Sequence, residues 1–169
     1  MNILILVLRL VHIFAAIIWG GGAIVMEFFI GRTIAGTGES GQKFAQHLMN
    51  TLRMHKFMTV MALSTVLGGI ALYWIDSNGF SSAWLKSSTG IGFGIGGVFG
   101  IIAFVFGAIF GSSNAKLGEV GAQIQGKPTP EQLTQIQALQ KRIKTVSPIH
   151  VTCMILAMTF MATARYFMF

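Results

Sequence analysis

Charged side chains are scarce in this sequence. Only 10% of the 169 residues are Asp, Glu, Lys or Arg, whereas soluble globular proteins contain about 25%. Hydrophobic residues make up 53% of the chain, and its mean hydropathy is +0.70. This composition excludes a soluble globular domain and predicts an integral membrane protein, whose first partner is the lipid bilayer.

Cysteine is almost absent as well. The single cysteine, Cys153, lies within the last apolar stretch. One cysteine provides neither a disulfide framework within the chain nor a thiolate metal site. We therefore expect Cys153 to be a packing residue, and the chemistry has to come from other side chains.

Four stretches are long and apolar enough to cross a bilayer, which takes about 20 residues. Their predicted bounds are residues 3–30, 55–75, 88–111 and 146–169. The first lacks the basic leader and the cleavage site of a signal peptide, so we interpret it as a retained helix. The sequence predicts a single domain, an all-α membrane protein that forms an antiparallel four-helix transmembrane bundle.

Two local signals refine this picture. Thr129 and Pro130 suit an N-cap and a first helical position, and from there we expect a helix to run through residues 132–144 into the fourth span. The third span contains no histidine and is rich in glycine. Repeated small residues at helical spacing allow a neighbouring helix to approach the backbone closely.

The net charge of +7 is unevenly distributed. Nine of the twelve basic residues lie in, or at the edge of, the two connections that follow the first and third spans. These nine are Arg32, Lys43, Arg53, Lys56, Lys116, Lys127, Lys141, Arg142 and Lys144. The positive-inside rule places both connections in the cytoplasm and both termini outside. The basic excess is thus a topology signal, and we expect no nucleic-acid partner.

Three of the four histidines, His12, His55 and His150, lie inside or at the mouth of a predicted span. An ionisable side chain in the membrane costs a few kcal/mol and usually has a function, so we predict that all three are metal ligands. His55 and His150 have similar predicted depths, as two imidazoles on one haem b require. Glu27, near the inner end of the first span, is placed to orient one imidazole or to carry a proton.

Further cofactor-binding candidates accompany His12 on the outer side: Arg9, Lys86 and Arg165. Arg9 precedes His12 by three residues, so it shares the same helix face one turn nearer the surface. A haem propionate needs a cation in that position. The candidates thus form two layers, an inner one with His55 and His150 and an outer one around His12. These layers predict either one or two haems.

Residues 8–22 read Leu-Arg-Leu-Val-His-Ile-Phe-Ala-Ala-Ile-Ile-Trp-Gly-Gly-Gly. The histidine, the tryptophan seven positions later and the glycines after it resemble the first helix of a loose group of small bacterial membrane proteins. The group comprises the copper-resistance D family, the membrane domain found with urate oxidase and the HemJ-type protoporphyrinogen oxidases. The resemblance implies haem b and the bacterial inner (cytoplasmic) membrane. Residues 83–86 resemble the region of the HemJ-type lysine, which implies that Lys86 is a partner of His12.

Three functions follow from these features. The first is a membrane b-type cytochrome that carries electrons between a quinol or protein donor and an acceptor. The second is a HemJ-like enzyme that uses His12 and Lys86. The third is a non-catalytic subunit or a copper-handling protein, since soft methionine sulfurs recur at helical spacing. These methionines are Met54, Met58 and Met61, and Met154, Met158 and Met161. Exposed small-residue faces suit a homodimer or a place in a larger complex.

Overall fold

The computed structural model describes residues 3–124 and 126–168, and all regular structure in these residues is helical. Four helices are long: α1 (Ile3–Val25), α4 (Met54–Asp76), α6 (Ser88–Ala122) and α7 (Pro130–Thr163). The shorter elements are a π-helical turn at Met26–Ile30, α2 (Gly31–Gly36), α3 (Gly38–Gln46), a second π-helical turn at His47–Thr51, α5 (Ser82–Leu85) and a final 3-10 turn at Ala164–Tyr166.

Four helical stretches of the described chain are long and apolar enough to cross a membrane. They run over Ile3–Gly36, Met54–Asp76, Ser88–Ala122 and Pro130–Tyr166. The prediction of an all-helical protein with four candidate spans is therefore confirmed.

The helix ends differ from the predicted bounds of the spans. α6 continues to Ala122 instead of ending near residue 111, and α7 begins at Pro130, well before residue 146. Apolar length sets what can lie in lipid, whereas local capping sets where a helix begins. The predicted cap is confirmed. The Thr129 hydroxyl accepts from the backbone N–H of Gln132 at 3.3 Å, and the side-chain oxygen of Gln132 accepts from the backbone N–H of Thr129 at 3.0 Å. The predicted end at residue 169 lies outside the described residues.

The long helices pack mainly in two pairs, α1 with α4 and α6 with α7, and smaller contacts join α1 to α7 and α4 to α6. Along α1 the contacts with α4 run from Arg9 with Asp76 to Gly22 with Met58. Along α6 the contacts with α7 run from Gly96 with Met161 to Gly107 with His150. α1 and α6 are thus each in contact with both α4 and α7.

The centre of the four helices is filled. Trp19 of α1, Ala62 of α4, Ala103 of α6 and Met154 of α7 form one buried cluster. The Trp19 indole is 6% exposed and makes an edge contact with the Phe104 ring at 6.2 Å. The large indole fills the space that the small alanine side chains leave at the centre of the bundle.

Glycines let methionines pack at the helix interfaces. A Cβ on Gly20 would lie 2.8 Å from the Met158 sulfur, and one on Gly96 would lie 3.3 Å from Met161. Met58 fits against Gly22 in the same way. Unbranched methionine side chains fill such irregular spaces well. The expected close packing of the glycine-rich third span is therefore present.

Candidate functional site

His150 lies in a closed environment on α7. Its side chain is only 5% exposed, and its Nδ1 lies 2.7 Å from the Ala103 carbonyl oxygen of α6. The ring contacts Trp19 at 6.0 Å and Phe110 at 6.5 Å between centroids. A Cβ on Gly107 would lie 2.8 Å from the imidazole Cε1. Only glycine at position 107 therefore lets the ring reach this carbonyl without a shift.

His12 of α1 has the same construction against α4. It is half-buried, and its Nδ1 lies 2.7 Å from the Thr65 carbonyl oxygen. A Cβ on Gly69 would lie 2.9 Å from the imidazole Cε1, and one on Gly68 would lie 3.3 Å from the His12 Cβ. Each pair of long helices thus contains one histidine that bonds to the backbone of the opposite helix.

In both sites the glycine follows the accepting residue by four positions: Gly69 follows Thr65, and Gly107 follows Ala103. Residue i+4 of an α-helix donates its own N–H to carbonyl i, and that oxygen keeps a second lone pair. A missing Cβ at i+4 leaves this lone pair open to a side chain from the neighbouring helix. Sequence inspection can find the glycine but not which histidine will use it.

These hydrogen bonds fix the tautomer of both imidazoles. A carbonyl oxygen only accepts, so Nδ1 carries the proton, and the neutral ring keeps a lone pair on Nε2. Metal-binding histidines have this arrangement, because the backbone carbonyl orients the ring and raises its basicity. His12 and His150 are thus prepared to donate through Nε2.

His55 is placed differently. It is exposed at the start of α4, and its Nδ1 lies 3.1 Å from the Met49 carbonyl oxygen in the preceding turn. His150 packs against α6 and α1, so the structure does not bring the two histidines together. The similar depth estimated from the sequence took no account of helix arrangement. A haem between α4 and α7 would have to cross the centre that Trp19 fills.

The three cations predicted to accompany His12 are also not gathered around it. Both oxygens of the Asp76 carboxylate accept from the Arg9 guanidinium, at 2.9 and 3.1 Å. Lys86 and Arg165 are exposed. Asp76 was not among the sequence candidates, although an acid at the C-terminal end of the second span and an arginine near the N-terminal end of the first were a visible signal. Arg9 therefore has a partner within the chain.

Replacing Asp76 with Asn should lower the free energy of unfolding by about 0.5–1 kcal/mol, since the pair is partly exposed and its two side chains are 38% and 29% accessible. Unfolding in mixed detergent micelles, followed by circular dichroism, measures this. The matched control is Glu39→Gln, because the Glu39–Lys43 pair is far more exposed. If Asp76→Asn lowered the free energy of unfolding no more than Glu39→Gln does, the Arg9–Asp76 pair would stabilise the fold no more than an exposed ion pair.

Glu27 forms a second polar contact near His150. It lies in the π-helical turn that follows α1, and the Ser147 hydroxyl of α7 donates to its carboxylate. π-helical turns within helices often mark functional positions. Ser147 precedes His150 by three residues, so Glu27 reaches the histidine's neighbourhood through this serine. The described hydrogen bonds of His150 run to Ala103.

The described residues contain no group of three or more His, Cys, Asp and Glu side chains that could hold a metal ion. Met58, Met158 and Met161 pack against glycines of neighbouring helices. Cys153 is partly buried against the central cluster, in the packing position predicted for it.

Comparison with protein families, curated proteins and solved structures finds no match to this chain. The case for a function therefore rests on the residues and their geometry.

Proposed function

We propose that this protein is a membrane b-type cytochrome in which His12 and His150 are iron ligands of haem b. One observation carries the proposal: both histidines are tied through Nδ1 to backbone carbonyls at 2.7 Å, which leaves Nε2 as the donor in each ring.

The donor set fits haem iron, which takes neutral imidazole as an axial ligand. The bundle centre is filled, so no haem fits between α4 and α7. His12 is half-buried, whereas the His150 ring is packed against Trp19, Phe110 and Gly107, and these neighbours would have to move before its Nε2 could reach iron. Bound haem would supply one-electron transfer. The chain's own residues orient the two imidazoles, and Trp19 and Phe110 keep water away from the His150 ring.

The proposal includes an antiparallel bundle with both termini outside, in the bacterial inner membrane. The basic side chains after the first span support this topology, since Lys43, Arg53 and Lys56 are all exposed. Electrons would pass between a quinol or protein donor and an acceptor. No contact among the described residues favours the HemJ-like or copper-handling alternative over this one.

A spectrum of the detergent-purified protein tests the proposal. We expect a Soret band and, after reduction, the α band of a b-type haem, with haem b identified as its pyridine haemochrome. His55→Ala is expected to keep the full signal, because His55 is exposed and bonds only within its own segment. A colourless preparation from cells supplied with a haem precursor would overturn the proposal.

A further inference from the structure

We infer that a groove on α7 binds one anionic phospholipid, with the headgroup on the basic side chains that precede the groove and an acyl chain within it. The inference goes beyond the proposed function and does not depend on a cofactor. It rests on the apolar length of the span and on the described residues of α7.

The groove lies beside the proline within α7. It has a volume of about 290 Å³ and is lined by Pro148, Ile149, Thr152 and Cys153. Pro148, Ile149 and Thr152 are exposed, so this face of α7 is open to its surroundings. In a helix that crosses the membrane, those surroundings are lipid acyl chains. A mainly apolar groove at this position suits a hydrocarbon chain.

Three basic side chains precede the groove on the same helix: Lys141, Arg142 and Lys144. All three are exposed, and none of them forms an ion pair with another described residue. The carboxylate of Glu27 approaches α7 nearby, where it accepts from the Ser147 hydroxyl. Basic side chains at the edge of a span attract anionic lipids, whose phosphate they bind. The charge before the groove therefore favours an anionic headgroup over a zwitterionic one.

Helical spacing connects these charges to the groove. Lys144 is four residues before Pro148 and Lys141 is seven before it, and positions at these intervals share a helix face. Nine residues separate Lys144 from Cys153, which is about 14 Å along the axis at 1.5 Å per residue. The hydrocarbon of one leaflet is about 15 Å deep. A phospholipid with its phosphate beside the basic side chains therefore extends its acyl chain along the groove.

Native mass spectrometry of the protein in a nonionic detergent tests the inference, with dioleoylphosphatidylglycerol as the anionic probe. Dioleoylphosphatidylcholine has the same acyl chains and no net charge. We expect the wild type to bind one phosphatidylglycerol at least about 10-fold more tightly than phosphatidylcholine, since each basic side chain near an anionic lipid surface strengthens binding about fivefold. Replacing Lys141, Arg142 and Lys144 together with Gln should abolish this preference.

Matched controls locate the site. Replacing Lys43, Arg53 and Lys56 together with Gln removes the same residue types from exposed positions around the start of α4, and this variant should keep the preference. Thr152→Trp fills the groove and should weaken the binding of both lipids. Thr159→Trp alters an exposed threonine seven residues further along the same face, and it should leave lipid binding unchanged.

Three results would overturn the inference. Equal binding of the two lipids by the wild type would mean that α7 contacts bulk lipid only. An equal loss in the two triple variants would mean that net charge alone attracts the lipid. Equal effects of the two tryptophan variants would place the acyl chain outside the groove. If Thr152→Trp does not fold, Thr152→Phe and Thr159→Phe replace the tryptophan pair.

Discussion

Trp19→Ala is expected to lower the free energy of unfolding by about 3–5 kcal/mol, the largest stability loss that we predict for a single substitution. The indole is 6% exposed and is surrounded by Ala62, Ala103 and Met154. The two alanines have no side-chain freedom to fill the space that the indole leaves. Atoms that line such a void have no partners on one side, and lipid cannot replace the missing attraction because it does not reach the centre of the bundle.

Unfolding of the Trp19→Ala protein in mixed detergent micelles, followed by circular dichroism, measures the destabilisation. Trp74→Ala is the matched control, since Trp74 lies near the C-terminal end of α4 and is 54% exposed. There we expect a change below about 1 kcal/mol. If both variants were destabilised equally, Trp19 would not be the centre of the packing.

The fold was predictable because apolar length is a direct property of the sequence. Four stretches that can cross a membrane were found at the right places, and the predicted N-cap at Thr129 was correct. The extension of α6 to Ala122 was not predictable in this way. Its last turns leave the apolar stretch, and Lys116 and Glu119 line a cavity there together with Gln135 and Leu139 of α7, a proximity that apolar length does not report.

The site was predictable only in part, because depth is visible in a sequence and direction is not. His12 and His150 were correctly placed within the four helices, but the residues that hold them are backbone carbonyls, which every residue has. His55 was grouped with His150 on depth alone. Which helices are neighbours decides whether two side chains meet, and that depends on packing of the whole chain.

Asp76 shows a signal that sequence reasoning should have used. The chain contains only five acidic residues. Ionisable side chains within membrane spans commonly pair with one another, so an acid within a span directs the search to a base. Arg9 lies near the N-terminal end of the first span and Asp76 at the C-terminal end of the second, and these two ends meet in the structure. Opposite charges at matching ends of consecutive spans predict a pair.

Gly107→Ala tests the glycine under His150, and we expect it to displace the imidazole. The new Cβ would lie 2.8 Å from Cε1, closer than carbon atoms can pack, and the rest of the ring has little room to retreat between Trp19 and Phe110. Overpacking of this kind costs about 1–3 kcal/mol, and the hydrogen bond to Ala103 lengthens or breaks. With the ring displaced, the haem content should fall.

Gly111→Ala on the same helix separates this effect from a general intolerance of α6 to alanine. A Cβ at position 111 would meet no atom within 4 Å, and alanine favours a helix over glycine by up to about 1 kcal/mol. We therefore expect Gly111→Ala to be neutral or stabilising and to keep the haem content of the wild type. Gly69→Ala should affect the His12 site alone, because its Cβ would meet the other imidazole at 2.9 Å. If Gly107→Ala behaved like Gly111→Ala in stability and haem content, the His150 ring would not be seated on Gly107, and the matched construction of the two sites would lose its basis.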